Sequence, residues 1–343
     1  MEFAFDIQKY KSLQKEAILN RISHFGKLYM EVGGKLFDDN HASRVLPGFE
    51  PNVKMQIFKE LSDTLEVLFC VNTNDIISKK TRADNNLTYA DETIRLVDMM
   101  HQNNISVLGI VITFYKEDEL VFEFEEKCKK LGIKTYKSYF IENYPNDLNL
   151  ILSKDGFGKN DYIETTKNLI LISAPGACSG KMETCLSQLY NDKVRGINSG
   201  YAKYETFPVW NLPLDHLSNI AYEMATVDIV DRNMIDPYYK KAYGHDAVNY
   251  NRDIEAFPIL NDILTMINGK EVYKSPTEMG INMVGFAIAD DKKVQEASFA
   301  EIERRRNKHQ KAYENGTLSK KGNDRSIEVY TYAKALYEKL ENE

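Results

Sequence analysis

Apolar residues recur mostly at every third or fourth position across 7–32, at Ile7, Tyr10, Leu13, Ile18, Ile22, Phe25, Leu28, Tyr29 and Val32, which predicts one long amphipathic helix. Gly33-Gly34 is expected to end it, because glycine accepts the left-handed cap. After a turn-rich stretch, short continuous apolar runs alternate with helical spacing. Strands are expected at 65–71, 107–113, 134–140 and 169–172, and helices at 91–102, at 118–131 and from Lys181 onward. This rhythm predicts an α/β fold, with a mostly parallel sheet and helices on both faces. Ligands of such sheets collect where loops leave the carboxyl ends of the strands.

Beyond 196 the pattern loses its regularity. The chain becomes dense in Tyr, Asn and Asp and holds its single tryptophan, Trp210. Apolar walls carrying a few polar groups suit a ligand pocket or a subunit contact. The expected organisation is an α/β sheet domain with the N-terminal helix and a glycine loop (1–195), a mixed aromatic and polar region closing over a ligand (196–305), and a charged helical tail (306–343), read as solvated.

Bulk properties narrow the partners. A net charge of -7 argues against coating nucleic acid, which needs excess Lys and Arg. The 4 cysteines form no Cys-x-x-Cys pair, so a disulfide framework or structural zinc is not expected. The first residues lack the apolar core of a secretory signal, and no apolar run is long enough to span a bilayer. A cytoplasmic protein without membrane or nucleic-acid partners is the expectation.

The stretch 168–192 carries the sharpest chemistry. An apolar run turns through Ala174-Pro175-Gly176-Ala177-Cys178-Ser179-Gly180 and delivers Lys181 to the start of a helix. Free N–H groups at a helix start, the helix dipole and a lysine together make a site for a phosphate-sized anion. The bland alternative is a strand-to-helix turn with a solvated lysine. The loop also departs from the common phosphate-binding pattern, since Gly176 and Gly180 enclose three residues and Met182 replaces a magnesium-binding hydroxyl. Magnesium accompanying a nucleotide would need Ser179, Thr184 or a distant carboxylate. For that role, or as a general base, the sequence offers Asp228 and Asp231, expected on one helix face, with Asp236 just beyond. Lys79, Lys80 and Arg82 after a strand could clamp phosphate or carboxylate groups, as could Arg44 beside His41. Lys203, Glu205, Asn211, Asn249, Asn251 and Arg252 are expected to orient the ligand. Lys274-Ser275-Pro276-Thr277 reads as a helix cap with Glu278 in the first turn. No His-Glu-x-x-His segment supports a zinc peptidase, no Gly-x-Ser-x-Gly elbow occurs, and Cys178 lacks an evident histidine partner.

The stretches GGKLFDDNHASRVLPGFEP, APGACSGKMETCLSQLY, GYAKYETFPVWNLPLDH, NMIDPYY and VNYNRDIEAFP closely resemble the bacterial family catalogued as domain of unknown function 1846, over roughly residues 5–305. The resemblance implies a cytoplasmic, oligomeric α/β protein with a helical region after the sheet domain. It implies no established reaction, although some members carry the description ATP-dependent peptidase. The residues point to an enzyme binding a nucleotide or phosphorylated metabolite, with magnesium-dependent phosphoryl transfer as the leading chemistry. The alternatives are a noncatalytic oligomeric module for a small anionic ligand, and an ATP-dependent hydrolase or ligase.

Overall fold

The computed structural model describes residues 4–82, 85–227 and 231–342. Its strands are β1 (Leu28–Val32), β2 (Leu65–Asn72), β3 (Ser106–Thr113), β4 (Thr135–Lys137), β5 (Leu169–Ser173), β6 (Gly200–Tyr204), β7 (Asn233–Ile235), β8 (Val248–Tyr250) and β9 (Gly280–Ile281). Seven of them form one sheet in the order β4-β3-β2-β5-β1-β6-β9, and each pairing in it is parallel. Strands β7 and β8 make a separate antiparallel pair. The α/β class and the parallel sheet with flanking helices therefore stand. Every residue of β5 is buried, as expected for a central strand covered on both faces.

The first predicted helix needs correction. It spans Ile7–Phe25 and stops at Gly26, whose φ of 80° turns the chain and whose N–H returns to the Ile22 carbonyl. The next apolar residues form β1, in the middle of the sheet. Phe25, Leu28, Tyr29 and Val32 fit a helical stripe and a buried strand equally well, so Gly26 was the deciding signal. The strand expected at 134–140 shrinks to Thr135–Lys137, a half-exposed edge.

The segment 196–305 supplies β6 and β9 to the main sheet, so that sheet crosses the position expected to divide the first two regions. The position expected to begin the tail falls inside the continuous helix Asp291–Glu314. That helix and Lys320–Leu340 are not merely solvated: Val294, Ser298 and Ile302, with Val329 and Ala333, are buried, and Phe299 stacks on Tyr337 at 4.3 Å. Ser218 and Ser298 share a buried hydrogen bond that ties the longer helix to Leu217–Ala225. Among the described residues no helix is long and apolar enough to cross a membrane.

Strands β2 and β5 are neighbours, yet the chain leaves β2 for β3 on one side and leaves β5 for β6 on the other. Their loops diverge at the carboxyl ends, which opens a cleft at a topological switch point. The glycine loop is the loop that leaves β5.

Candidate active site

The glycine loop runs from Ala174 into the helix Lys181–Val194. Two residues in it take left-handed backbone, Cys178 at φ 58° and Gly180 at φ 79°. Neighbouring strands hold the loop by its carbonyls. Thr113 Oγ1 donates to Ser179 O at 2.9 Å, Asn72 Nδ2 to Cys178 O at 3.4 Å, and Arg82 to Pro175 O. Ser179 Oγ donates back to Gly176 O at 2.8 Å. With the carbonyls engaged outward, the N–H groups from Ala177 to Glu183 meet no acceptor among the described residues, the first helical hydrogen bond beginning with Thr184 N. Successive free N–H groups in a left-handed turn, continued by a helix start, make an anion-binding concavity.

Lys181 forms no ion pair among the described residues and acts electrostatically on the buried Cys70 and Cys185 thiols. Glu183, in the first turn of the helix, is half-buried and accepts from Ser138 and Asn160 at 2.8 and 2.9 Å. Burial pushes its carboxyl up to about 7, against the lowering effect of those two donors.

The basic loop has a different role from the expected phosphate clamp. Arg82 is spent on Pro175 O and, at 3.7 Å, on Glu92, so it braces the glycine loop. Lys80 pairs with Asp75 at 3.1 Å and lies over the Tyr89 ring, while Lys79 is exposed.

A second cluster stands at the carboxyl ends of β1 and β6. Glu31 and Lys203 are register partners there, and Glu205 follows two residues after Lys203. Lys203 Nζ pairs with Asp253 at 2.7 Å, and Tyr201 donates to Glu31 at 2.8 Å. Burial alone would lower the Lys203 pKa, but Asp253, Glu205 and Glu31 overcome it and hold the ammonium above its ordinary range. The Glu205 carboxyl has no hydrogen-bond partner among the described residues. Burial pushes it up to about 8, opposed by Lys203 and reinforced by Asp253 and Glu31.

The remaining expected residues sit elsewhere or do structural work. Asp228 lies outside the described residues. Asp231 is not on a helix, since Leu217–Ala225 ends well before it; its carboxylate pairs with Arg252 at 3.4 Å and accepts from Tyr222. Asp236 is fully buried and accepts four hydrogen bonds, from Tyr238 N, Tyr239 N, Thr277 N and Thr277 Oγ1, which makes it a helix cap. The shared helix face foreseen for two of the acidic residues is thus not formed by Asp231, and among the described residues no three His, Cys, Asp or Glu side chains converge as a metal site. Asn249 bonds Thr277 and its neighbour's N–H, Asn251 accepts from Arg232 N, and Asn211 packs on Gly285. Arg44 holds Glu301. The helix cap read at Ser275 is present, with Glu278 N donating to Ser275 Oγ at 3.1 Å.

Glu31, Glu183 and Thr113 were not foreseen. Glu31 carried a signal, a lone acidic residue near the end of the run Leu28-Tyr29-Met30-Glu31-Val32 before two glycines, but only once that run is read as a strand. Thr113 gave none, because only the fold brings it to the cleft.

The family model described as "Domain of unknown function DUF1846, N-terminal" matches residues 3–334. A "UPF0371 protein" of Streptococcus equi subsp. equi (strain 4047) is 52% identical over 303 residues, covering 88% of this chain and 61% of its own length. "UPF0371 protein SUB1165" of Streptococcus uberis is 52% identical over 305 residues, covering 89% of this chain and 62% of its own. The chain thus spans about three-fifths of these curated relatives.

Proposed function

The chain belongs to the DUF1846 family, whose description names no reaction, and we infer from the cleft itself that the protein binds a nucleotide or another phosphorylated small molecule. The observation that carries this reading is the row of unpaired N–H groups from Ala177 to Glu183, with Lys181 at the helix start. A dianionic phosphate satisfies all three needs of that loop: acceptors for the donors, negative charge for the dipole, and a counter-ion for the lysine. The rest of the ligand runs past Glu31 toward Lys203 and Glu205. There the Glu205 carboxyl donates a proton to a leaving or carbonyl oxygen, and Lys203 neutralises negative charge that develops beside it. Metal, if it accompanies the ligand, arrives on its phosphates, since Asp236 has no free acceptor capacity directed at a cleft.

Thermal unfolding with ATP, GTP, pyrophosphate and sugar phosphates, each with and without magnesium, tests the reading. At a ligand concentration 100 times Kd the native state gains about 2.7 kcal/mol, a rise of several degrees in midpoint. Lys181→Ala is expected to weaken the responsive ligand about 100-fold and so to remove most of the shift. An unchanged shift in that variant would sink the assignment of phosphate to this loop.

A further inference from the structure

A cluster on the other side of the aromatic region holds more positive charge than the protein balances. The Glu301 side chain is fully buried and accepts from Arg44 Nε at 2.8 Å, Arg304 Nη2 at 2.8 Å, Arg305 Nε at 2.8 Å and His41 Nδ1 at 3.2 Å. Arg304 donates through Nε as well, at 2.5 Å. Burial alone would raise the Glu301 pKa, but Arg304, His41, Arg305 and Arg44 hold its carboxyl far below the usual range, so it carries a full negative charge. One carboxylate thus faces three guanidiniums. The nearest further acid, Asp39, is paired with Lys54 at 2.9 Å and adds no net charge. Burial keeps His41 neutral at pH 7, so the excess is two positive charges.

The unused donors share this place. The Nη groups of Arg44 and Arg305 meet no acceptor among the described residues, because each arginine engages Glu301 through Nε. His41 donates through Nδ1 and is neutral, so its buried Nε2 is an acceptor, without a partner among the described residues, and adds no donor to the set. Arg305 is largely buried, and burial together with repulsion from Arg304 and Arg44 lowers its pKa despite the Glu301 contact. Three arginines converging on one saturated carboxylate repel one another unless a second anion joins them.

We propose that Arg44, Arg304 and Arg305 form a second anion site, separate from the glycine loop, that takes a small oxyanion of the phosphate or carboxylate class. Glu301 is its organiser: it fixes the Nε edges of the guanidiniums and leaves the Nη edges to receive two oxygens of the ligand. The site joins the cleft through packed rings, since His41 lies 5.5 Å from Phe207, which stacks on Tyr222, which stacks on Tyr250.

The test is titration calorimetry of the purified chain with inorganic pyrophosphate and, separately, with citrate. Lys181→Ala silences the glycine loop. In that variant one binding event is expected to remain, steeply weakened by salt, and Arg44→Gln combined with Arg304→Gln is expected to weaken it at least 30-fold. Both arginines are about two-fifths exposed, and unchanged circular dichroism confirms that the triple variant stays folded. Pyrophosphate binding with citrate silence assigns a phosphate site, and the reverse a carboxylate site. No binding of either anion to Lys181→Ala, or binding indifferent to the arginine replacements, overturns the proposal. The glycine-loop reading fails separately, when Lys181→Ala leaves the wild-type stoichiometry unchanged.

Discussion

Gly180→Ala is expected to destabilise the protein by about 2–5 kcal/mol and to abolish phosphate-dependent stabilisation. Two independent costs meet at this residue. Its φ of 79° lies in the left-handed region, where a Cβ costs about 1–2 kcal/mol. The added Cβ would also stand 2.8 Å from Thr113 Cβ and Cγ2, an overpacking cost of about 1–3 kcal/mol in a buried place. Thr113 cannot simply rotate away, because its hydroxyl anchors Ser179 O at 2.9 Å and so shapes the row of free N–H groups. Thr113→Ser removes Cγ2 and keeps the hydroxyl. Combined with Gly180→Ala it should restore only the steric share due to Cγ2, since the residue-113 Cβ at 2.8 Å and hydroxyl oxygen at 3.0 Å remain, and leave the backbone part. Urea unfolding of the two single variants and the double variant measures this. Full additivity would mean that the contact with Thr113 is not the source of the cost.

How far the sequence could reach is visible at this same loop. Strand β5, the glycine turn and the helix starting at Lys181 were legible because apolar run, glycines and helical spacing are local signals. The bracing of that loop was not, since Thr113 and Asn72 end two other strands and Arg82 lies in the loop beyond the second of them, and only the sheet order brings these places together. Arg82 illustrates the limit: three basic residues in a loop look alike in sequence, yet one braces a carbonyl, one pairs with Asp75 and one is exposed. The acidic residues after 225 failed for a related reason. A spacing of three suggests a shared face only if the segment is helical, and the helix stops at Ala225, leaving Asp231 to pair with Arg252 and Asp236 to cap a later helix. The Lys203 and Glu205 pair was half legible. The residues were named as ligand-orienting, but their coupling to Glu31 required β1 to be a strand, and the helical periodicity concealed it.

Glu205→Gln is expected to leave stability nearly unchanged at pH 4 and to raise it by about 2–4 kcal/mol at pH 9. The sign follows from the position of the two ionisations. Burial lifts the folded carboxyl from 4.5 to about 8, so below pH 4.5 both folded and unfolded chains hold the proton. Between those limits the unfolded chain releases it while the folded chain keeps it, and stability falls by about 1.4 kcal/mol for each pH unit. Above about 8 the loss is complete. Partial solvent contact and the nearby Lys203 ammonium reduce the total below the full product of slope and range. Glutamine cannot ionise and escapes the loss, so the stability curves of variant and parent diverge only as pH rises. A glutamate ionised and tied to Lys203 would behave oppositely, with Glu205→Gln less stable at every pH above 5. Lys203→Met sharpens the distinction, because removing the opposing charge should push the Glu205 ionisation higher still, so that the divergence starts at the same pH but continues to higher pH and ends larger. A carboxyl whose ionisation burial pushes up to about 8, beside the half-buried Lys203 ammonium, has the acidity that proton donation to a bound ligand at neutral pH requires.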